Sequence, residues 1–220
     1  MEKASSSFAD LTVGQFVERL SSAEPVPGGG AASAVAASLG AALVSMVAGL
    51  SVGRAKYAMY EATLGRCSEA GQSLAVEFLR HADADATAYA GYAAALKLPK
   101  ETEAEQEARR KAIRTAARAA SEAPWECVQA CARLAAAAEA LAGRSNVNAA
   151  SDVLVAALLA DAAAKGAAEN VRINLPATAD EQYAAVMNRK LDAELDRIED
   201  LAALARQHVF SGTARPAEKK

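Results

Sequence analysis

Little in this chain is aromatic, and little of it is cysteine, histidine or proline. Phenylalanine, tyrosine and tryptophan make up 5% of the 220 residues, beside three cysteines, two histidines and six prolines. Strands favour aromatic and β-branched side chains. Their scarcity, with alanine at about a quarter of the chain, excludes a sheet-rich protein and points to helices, alanine being the strongest helix former. The predicted class is all-α. Cys67, Cys127 and Cys131 show no metal-ligand spacing, and Cys127 and Cys131, one helical turn apart, read as small buried hydrophobes of a reduced protein. No metal site and no cofactor are expected. The opening Met1–Ser5 lacks the apolar core of a secretory leader, so a cytoplasmic location is expected. A net charge of −3 without a basic block leaves no footprint for nucleic acid and no polybasic patch for a membrane surface. No Gly/Ser or Pro-rich linker and no internal repeat divide the chain. One domain over residues 8–210 is expected, with a polar tail, 211–220, that should fray. An alanine-rich core has thin side chains, so burial in a homodimer or larger homo-oligomer would add stability.

What is present stands out against that background. Pro25-Val26-Pro27-Gly28-Gly29-Gly30 runs into an uncharged stretch from Ala31 to Leu50. Glycines bring backbone N–H groups close to a ligand. The helix start behind them leaves up to four N–H donors unpaired at the positive end of the macrodipole. An anion or a carbonyl could sit there. The stretch is not a nucleotide loop: no Lys-Ser/Thr pair follows, and GxGxxG is absent. It is long enough to span a bilayer, but Ala, Gly and Ser dominate it and Arg54 and Lys56 flank one end only. A buried central helix, apolar all round, is the expectation. Ala32, Ala36, Gly40 and Ala48 would let its neighbours approach.

Periodicity predicts a bundle of six to seven helices around that central one. Val13, Phe16, Val17 and Leu20 share one face of a short first helix over 12–20. A long helix follows from about Lys56 to Leu96, with Gly65 or Gly71 as a possible bend. Glu101–Ser121 reads as a charged, solvated helix, and Pro124 as the first-turn proline of a separate helix to Ala142. After a turn at 143–146, a helix spans about Asn148–Ala168, then a loop from Asn170 to Pro176. Thr178 and Glu181 suggest a capping box for the last helix.

Two polar clusters in these alanine-rich helices are candidates for chemistry. His81, Asp85, Tyr89 and Tyr92 share one helical stripe, with Asp83 about 200° away from Asp85; a solvated Asp83/Asp85 pair is the competing reading. Asn148, Ser151 and Asp152 share one face at a helix start, beside Asn146. One of them can cap, and three exceed what a cap needs.

In order, these segments resemble the formiminotetrahydrofolate cyclodeaminase and methenyltetrahydrofolate cyclohydrolase family. The carriers are Pro25–Gly30, Ser45-Met46-Val47, Gly53-Arg54-Ala55-Lys56-Tyr57, Asp85-Ala86-Thr87-Ala88-Tyr89, Leu98-Pro99-Lys100, Asn146-Val147-Asn148, Ser151-Asp152 and Asn170–Asn174. Ser145 stands where the family usually has glycine, and the basic run after Gly53 is thin. The resemblance implies an all-helical enzyme of one-carbon folate chemistry. It would hydrolyse 5,10-methenyltetrahydrofolate to 10-formyltetrahydrofolate, without metal or cofactor. The alternatives are the cyclodeaminase reaction, releasing ammonia, and a non-catalytic folate-binding or scaffolding oligomer. Asp85 and Asp152 are then expected as acid/base carboxylates with Asp83 in reserve. Gly28, Gly29, Gly30, Asn146, Asn148 and Ser151 are expected at the substrate, and Lys100, Arg54 and Lys56 at its glutamate tail. If the glycine loop and Arg54/Lys56 serve one site, a helix about 35–40 Å long between them requires an antiparallel dimer.

Overall fold

Thr12 opens the first helix with a reciprocal capping box to Gln15, and the chain then builds six α-helices and four short 3₁₀ turns, with no strand, among the described residues. The structure is a computed structural model and describes residues 7–217; Met1–Ser5, read above for a leader, lies outside the described residues. The helices are α1 (Val13–Leu20), α2 (Gly29–Gly49), α3 (Glu61–Leu96), α4 (Glu103–Leu141), α5 (Ala150–Asn174) and α6 (Glu181–Ser211). Helices α2, α3, α4 and α5 form the bundle, and α6 lies across α4 and α5. Phe78, Leu64, Leu134, Leu141, Val44 and Val153 fill the core between alanine-lined faces.

Small residues set the closeness of the central helices. A Cβ on Gly71 of α3 would fall 2.6 Å from the Ser45 backbone nitrogen and 2.7 Å from the Ala41 carbonyl of α2. Gly71 is therefore a packing contact and not a bend. Gly40 likewise faces Leu134, Leu159 and the Ala156 carbonyl.

Helix α2 is central, yet one face of it is open. Leu39 is 57% and Met46 43% exposed, so burial all round is not what the fold provides. Two stretches, α2 and residues 147–178, are long and apolar enough to cross a bilayer, and about half of the α2 window is buried against its neighbours. The open face lies on a bundle whose other helices carry ion pairs such as Arg133–Glu77 and Lys165–Asp161. The apolar face predicted for α1 is also largely bare: Phe16 is buried, and Val13 and Val17 are exposed.

Pro124 sits inside α4, not at a helix start; the charged segment and its successor are one helix of 39 residues. A proline removes the N–H that would bond the carbonyl four residues back, here Ala120. Asn174 repairs the gap: its Nδ2 donates to Ala120 O at 2.8 Å. For the same reason α5 does not end at Ala168 but runs on to Asn174, whose Nδ2 also reaches Asn170 O. The last helix is capped by Asp180, which accepts from Tyr183 N, while Thr178 bonds back to Leu175 O.

The tail is anchored through Pro216 rather than frayed. Arg215 N donates to Gly143 O, the Arg215 guanidinium meets Glu139, and Arg144 Nε donates to Pro216 O. Residues 218–220 lie outside the described residues.

Candidate active site

The first turn of α2 brings backbone N–H groups up to a carboxylate of α3. Its first intrahelical bond runs from Ala32 N to Gly28 O, leaving the N–H groups of Gly29, Gly30 and Ala31 without helical partners. The Ala31 N–H donates to the carboxylate of Asp85, which reaches across from α3. Gly30 is what admits it: a Cβ there would overlap the Asp85 carboxyl group. Burial pushes the Asp85 carboxyl above its ordinary range, and the Ala31 N–H pulls it back in part. A carboxyl so placed sits nearer to neutral pH than a solvated one and can both accept and return a proton.

Asn170 of α5 closes the other side. Its Nδ2 lies 3.5 Å from where a Gly29 Cβ would be and donates to Gly166 O. The carbonyl partner fixes the amide orientation, so Oδ1 is the free end. A Cβ on Gly166 would overlap the Ser33 hydroxyl. Gly166 thus lets α2 and α5 converge here. Asn170 and Asn174 lie in the segment read above as a loop; their four-residue spacing, continuous with the α5 pattern, is the signal that the segment is helical.

Asp83 is separated from this site, as the helical angle required. It accepts from Ser7 Oγ at 2.6 Å and from Phe8 N at 2.8 Å, tying the chain's start to α3. Asp83 thus anchors Ser7 and Phe8 on α3.

The remaining predicted residues gather at the opposite end of α2, about 30 Å away at 1.5 Å per residue. There Asn146 N donates to Ser51 Oγ, and the Asn146 side chain caps Asn148 N. Ser151 and Asp152 occupy the first turn of α5. Lys56 and Asn146 line a cavity of about 400 Å³ with Tyr60, Val153, His208 and Thr213, the anchored tail forming one wall. Arg54 is exposed beside it. The tail's part in this cavity had no sequence signal. Gly143 turns the chain here at φ 72°, facing the Thr213 carbonyl. Lys100 is at neither end of α2: α3 runs about 16 Å past Asp85 before the exposed loop that holds it. Within one subunit, therefore, Asp85 and Asp152 do not share a site.

A family model described as formiminotransferase-cyclodeaminase matches residues 12–193. The chain belongs to this family. Within the formiminotransferase-cyclodeaminase family it is 35% identical to a methenyltetrahydrofolate cyclohydrolase of Methylorubrum extorquens, over 84% of this chain and 88% of that one. It is 31% identical to the formimidoyltransferase-cyclodeaminase of Rattus norvegicus over 90% of this chain, but spans only 37% of that longer protein. Among solved structures, formiminotetrahydrofolate cyclodeaminase from Thermotoga maritima superposes with a TM-score of 0.83 at 27% identity, covering 92% of this chain and 98% of that one. The all-helical fold expected from composition is the fold of the formiminotransferase-cyclodeaminase family.

Proposed function

We propose that this chain is a methenyltetrahydrofolate cyclohydrolase with Asp85 as its acid/base. The observation that carries the reading is the half-buried Asp85 carboxyl seated on Gly30 at the start of α2. Water attacks the cationic methenyl carbon as Asp85 takes its proton. The bond from that carbon to N5 then breaks, N5 gains a proton, and the formyl group stays on N10. The free N–H groups of Gly29 and Gly30 face the oxygen that becomes the formyl carbonyl. The reading needs neither metal nor cofactor and suits a cytoplasmic enzyme. The likeness to the M. extorquens cyclohydrolase over most of both chains supports it. Incubated with 5,10-methenyltetrahydrofolate, the purified chain is expected to bleach the methenyl chromophore faster than a blank. A second reading is supported by the T. maritima likeness: N10 attacks a formimino carbon and ammonia leaves, so the chromophore grows from 5-formiminotetrahydrofolate. If neither folate changes, both readings fall.

The substrate site is shared in a homodimer. Helix α2 has no charged side chain, and it exposes Leu39 and Met46, with Leu43 partly exposed between them. Two such faces packed antiparallel carry the Lys56–Asn146 cavity of one subunit to Asp85 of its partner. Arg54, Lys56, Asn146, Asn148, Ser151 and Asp152 then bind what Asp85 converts. Mixing an Asp85→Asn subunit with a Lys56→Ala/Asn146→Ala subunit, each inactive alone, should restore about a quarter of normal activity. Half of the dimers are mixed, and each of these holds one intact site. No recovery after subunit exchange would sink the shared site.

A further inference from the structure

The segment after α6 has the composition of a loose end. Residues 212–217 form no helix or strand, and all of them but Arg215 are exposed. Such a segment frays unless something ties it down. Gly212 ends α6 in the left-handed region at φ 61°, with its N–H still on Val209 O. Three residues later the chain is bonded to the turn that follows α4.

Arg215 makes that tie with its backbone and its side chain together. Its N–H donates to Gly143 O at 3.0 Å, and its carbonyl accepts from Tyr60 Oη at 2.5 Å. Its guanidinium donates to the Glu139 and Ala142 carbonyls and pairs with the Glu139 carboxylate at 2.6 Å. The two side chains of that pair are only 17% and 16% exposed, so salt and water screen it less than a surface pair. Arg144 Nε adds a bond to Pro216 O at 2.9 Å.

These contacts fall on two separate segments. Tyr60 closes the 3₁₀ turn Ala55–Tyr60, which carries Lys56 and precedes α3. Gly143 and Arg144 belong to the turn that follows α4 and leads to Asn146. The Asn146 N–H on Ser51 Oγ ties that turn to the end of α2; the Arg215 backbone ties it to the Lys56 segment. Lys56 and Asn146 line the cavity of about 400 Å³, and Thr213 and Ala214 of the tail line it with them. This wall lies outside the residues 12–193 that the family model matches.

Ordering an exposed segment costs backbone entropy. Thr213, Ala214 and Pro216 stay exposed and bury little apolar surface in return. What the ordering does fix is the spacing between Lys56 and Asn146. We propose that Arg215 is a positioning residue that holds Lys56 and Asn146 at the spacing that binds the substrate. The proposal rests on the reading that this cavity takes the folate, and it concerns binding, not the step at Asp85.

Steady-state kinetics with 5,10-methenyltetrahydrofolate test it, at a temperature below the unfolding transition of every variant. A chain ending at Ser211 loses the strap whole and keeps α6; Arg215→Ala loses only the guanidinium. An interaction made equally with substrate and transition state acts on KM and not on kcat. KM should therefore rise about tenfold in the shortened chain and about threefold or more in Arg215→Ala, with kcat within about twofold of the parent. Arg215→Lys, which can still pair with Glu139, should fall between Arg215→Ala and the parent. A KM within twofold of the parent in either the shortened chain or Arg215→Ala overturns the proposal, whatever their melting temperatures. So does a loss confined to kcat. A Lys56→Ala/Asn146→Ala double variant assayed alongside separates the two readings: parent kinetics there mean that the placing of the folate in this cavity has failed, and the strap with it.

Discussion

Asp85→Asn will lower kcat by about 10²–10⁴-fold, the range for losing a positioned acid/base, with helicity and self-association intact. The amide still accepts from Ala31 N–H, so the start of α2 keeps its partner. Stability should move the other way, and in a pH-dependent manner. Burial raises the folded-state pKa of Asp85 above its ordinary 3.8. Stability contributed by such a carboxyl is fully present below the unfolded value and is lost as pH rises through the folded one. At pH 8 the ionised parent bears that cost and the amide does not. Denaturant midpoints should thus favour Asp85→Asn at pH 8, with the advantage shrinking toward pH 4. Unchanged turnover would remove Asp85 from the mechanism, and a pH-independent difference would remove the desolvation account.

Gly71→Ala will have the largest effect on the fold. Alanine is favoured over glycine in a helix interior by about 1 kcal/mol, but here the new Cβ meets backbone of α2 at 2.6 and 2.7 Å. No side chain can swing aside, so α2 and α3 must separate. Overpacking of this kind costs about 1–3 kcal/mol or more. At about 2–4 °C per kcal/mol for a chain of this size, that lowers Tm by roughly 2–12 °C. Gly65 on the same helix is the control, because nothing lies within 4 Å of its Cβ position; Gly65→Ala should raise Tm slightly. Circular dichroism melts of both variants decide the matter, and a Gly71→Ala protein as stable as the parent would refute the close approach.

The helices were legible in the sequence because alanine content and apolar spacing act locally. The angle between Asp85 and Asp83 was legible too, since it follows from helix geometry; the choice between them came from the resemblance, and the seat of Asp85 on Gly30 from the fold. Three features were not legible. Pro124 looked like a helix start because the carboxamide that satisfies its orphaned carbonyl comes from Asn174, fifty residues on. The open face of α2 was hidden by its composition, since an uncharged helix reads the same whether a core or a second subunit covers it. The separation of Asp152 from Asp85 depends on α2 and α5 running antiparallel, which no local pattern encodes.

The order of the helices along the chain sets a schedule for synthesis. Helix α2 leaves the ribosome early, uncharged over 21 residues, whereas α5, which covers one of its sides, begins only at Ala150. At about 5–20 residues per second, the nascent chain carries a half-clothed apolar rod for roughly 5–20 seconds. Chaperones that hold emerging chains therefore meet this segment before α5 can cover it.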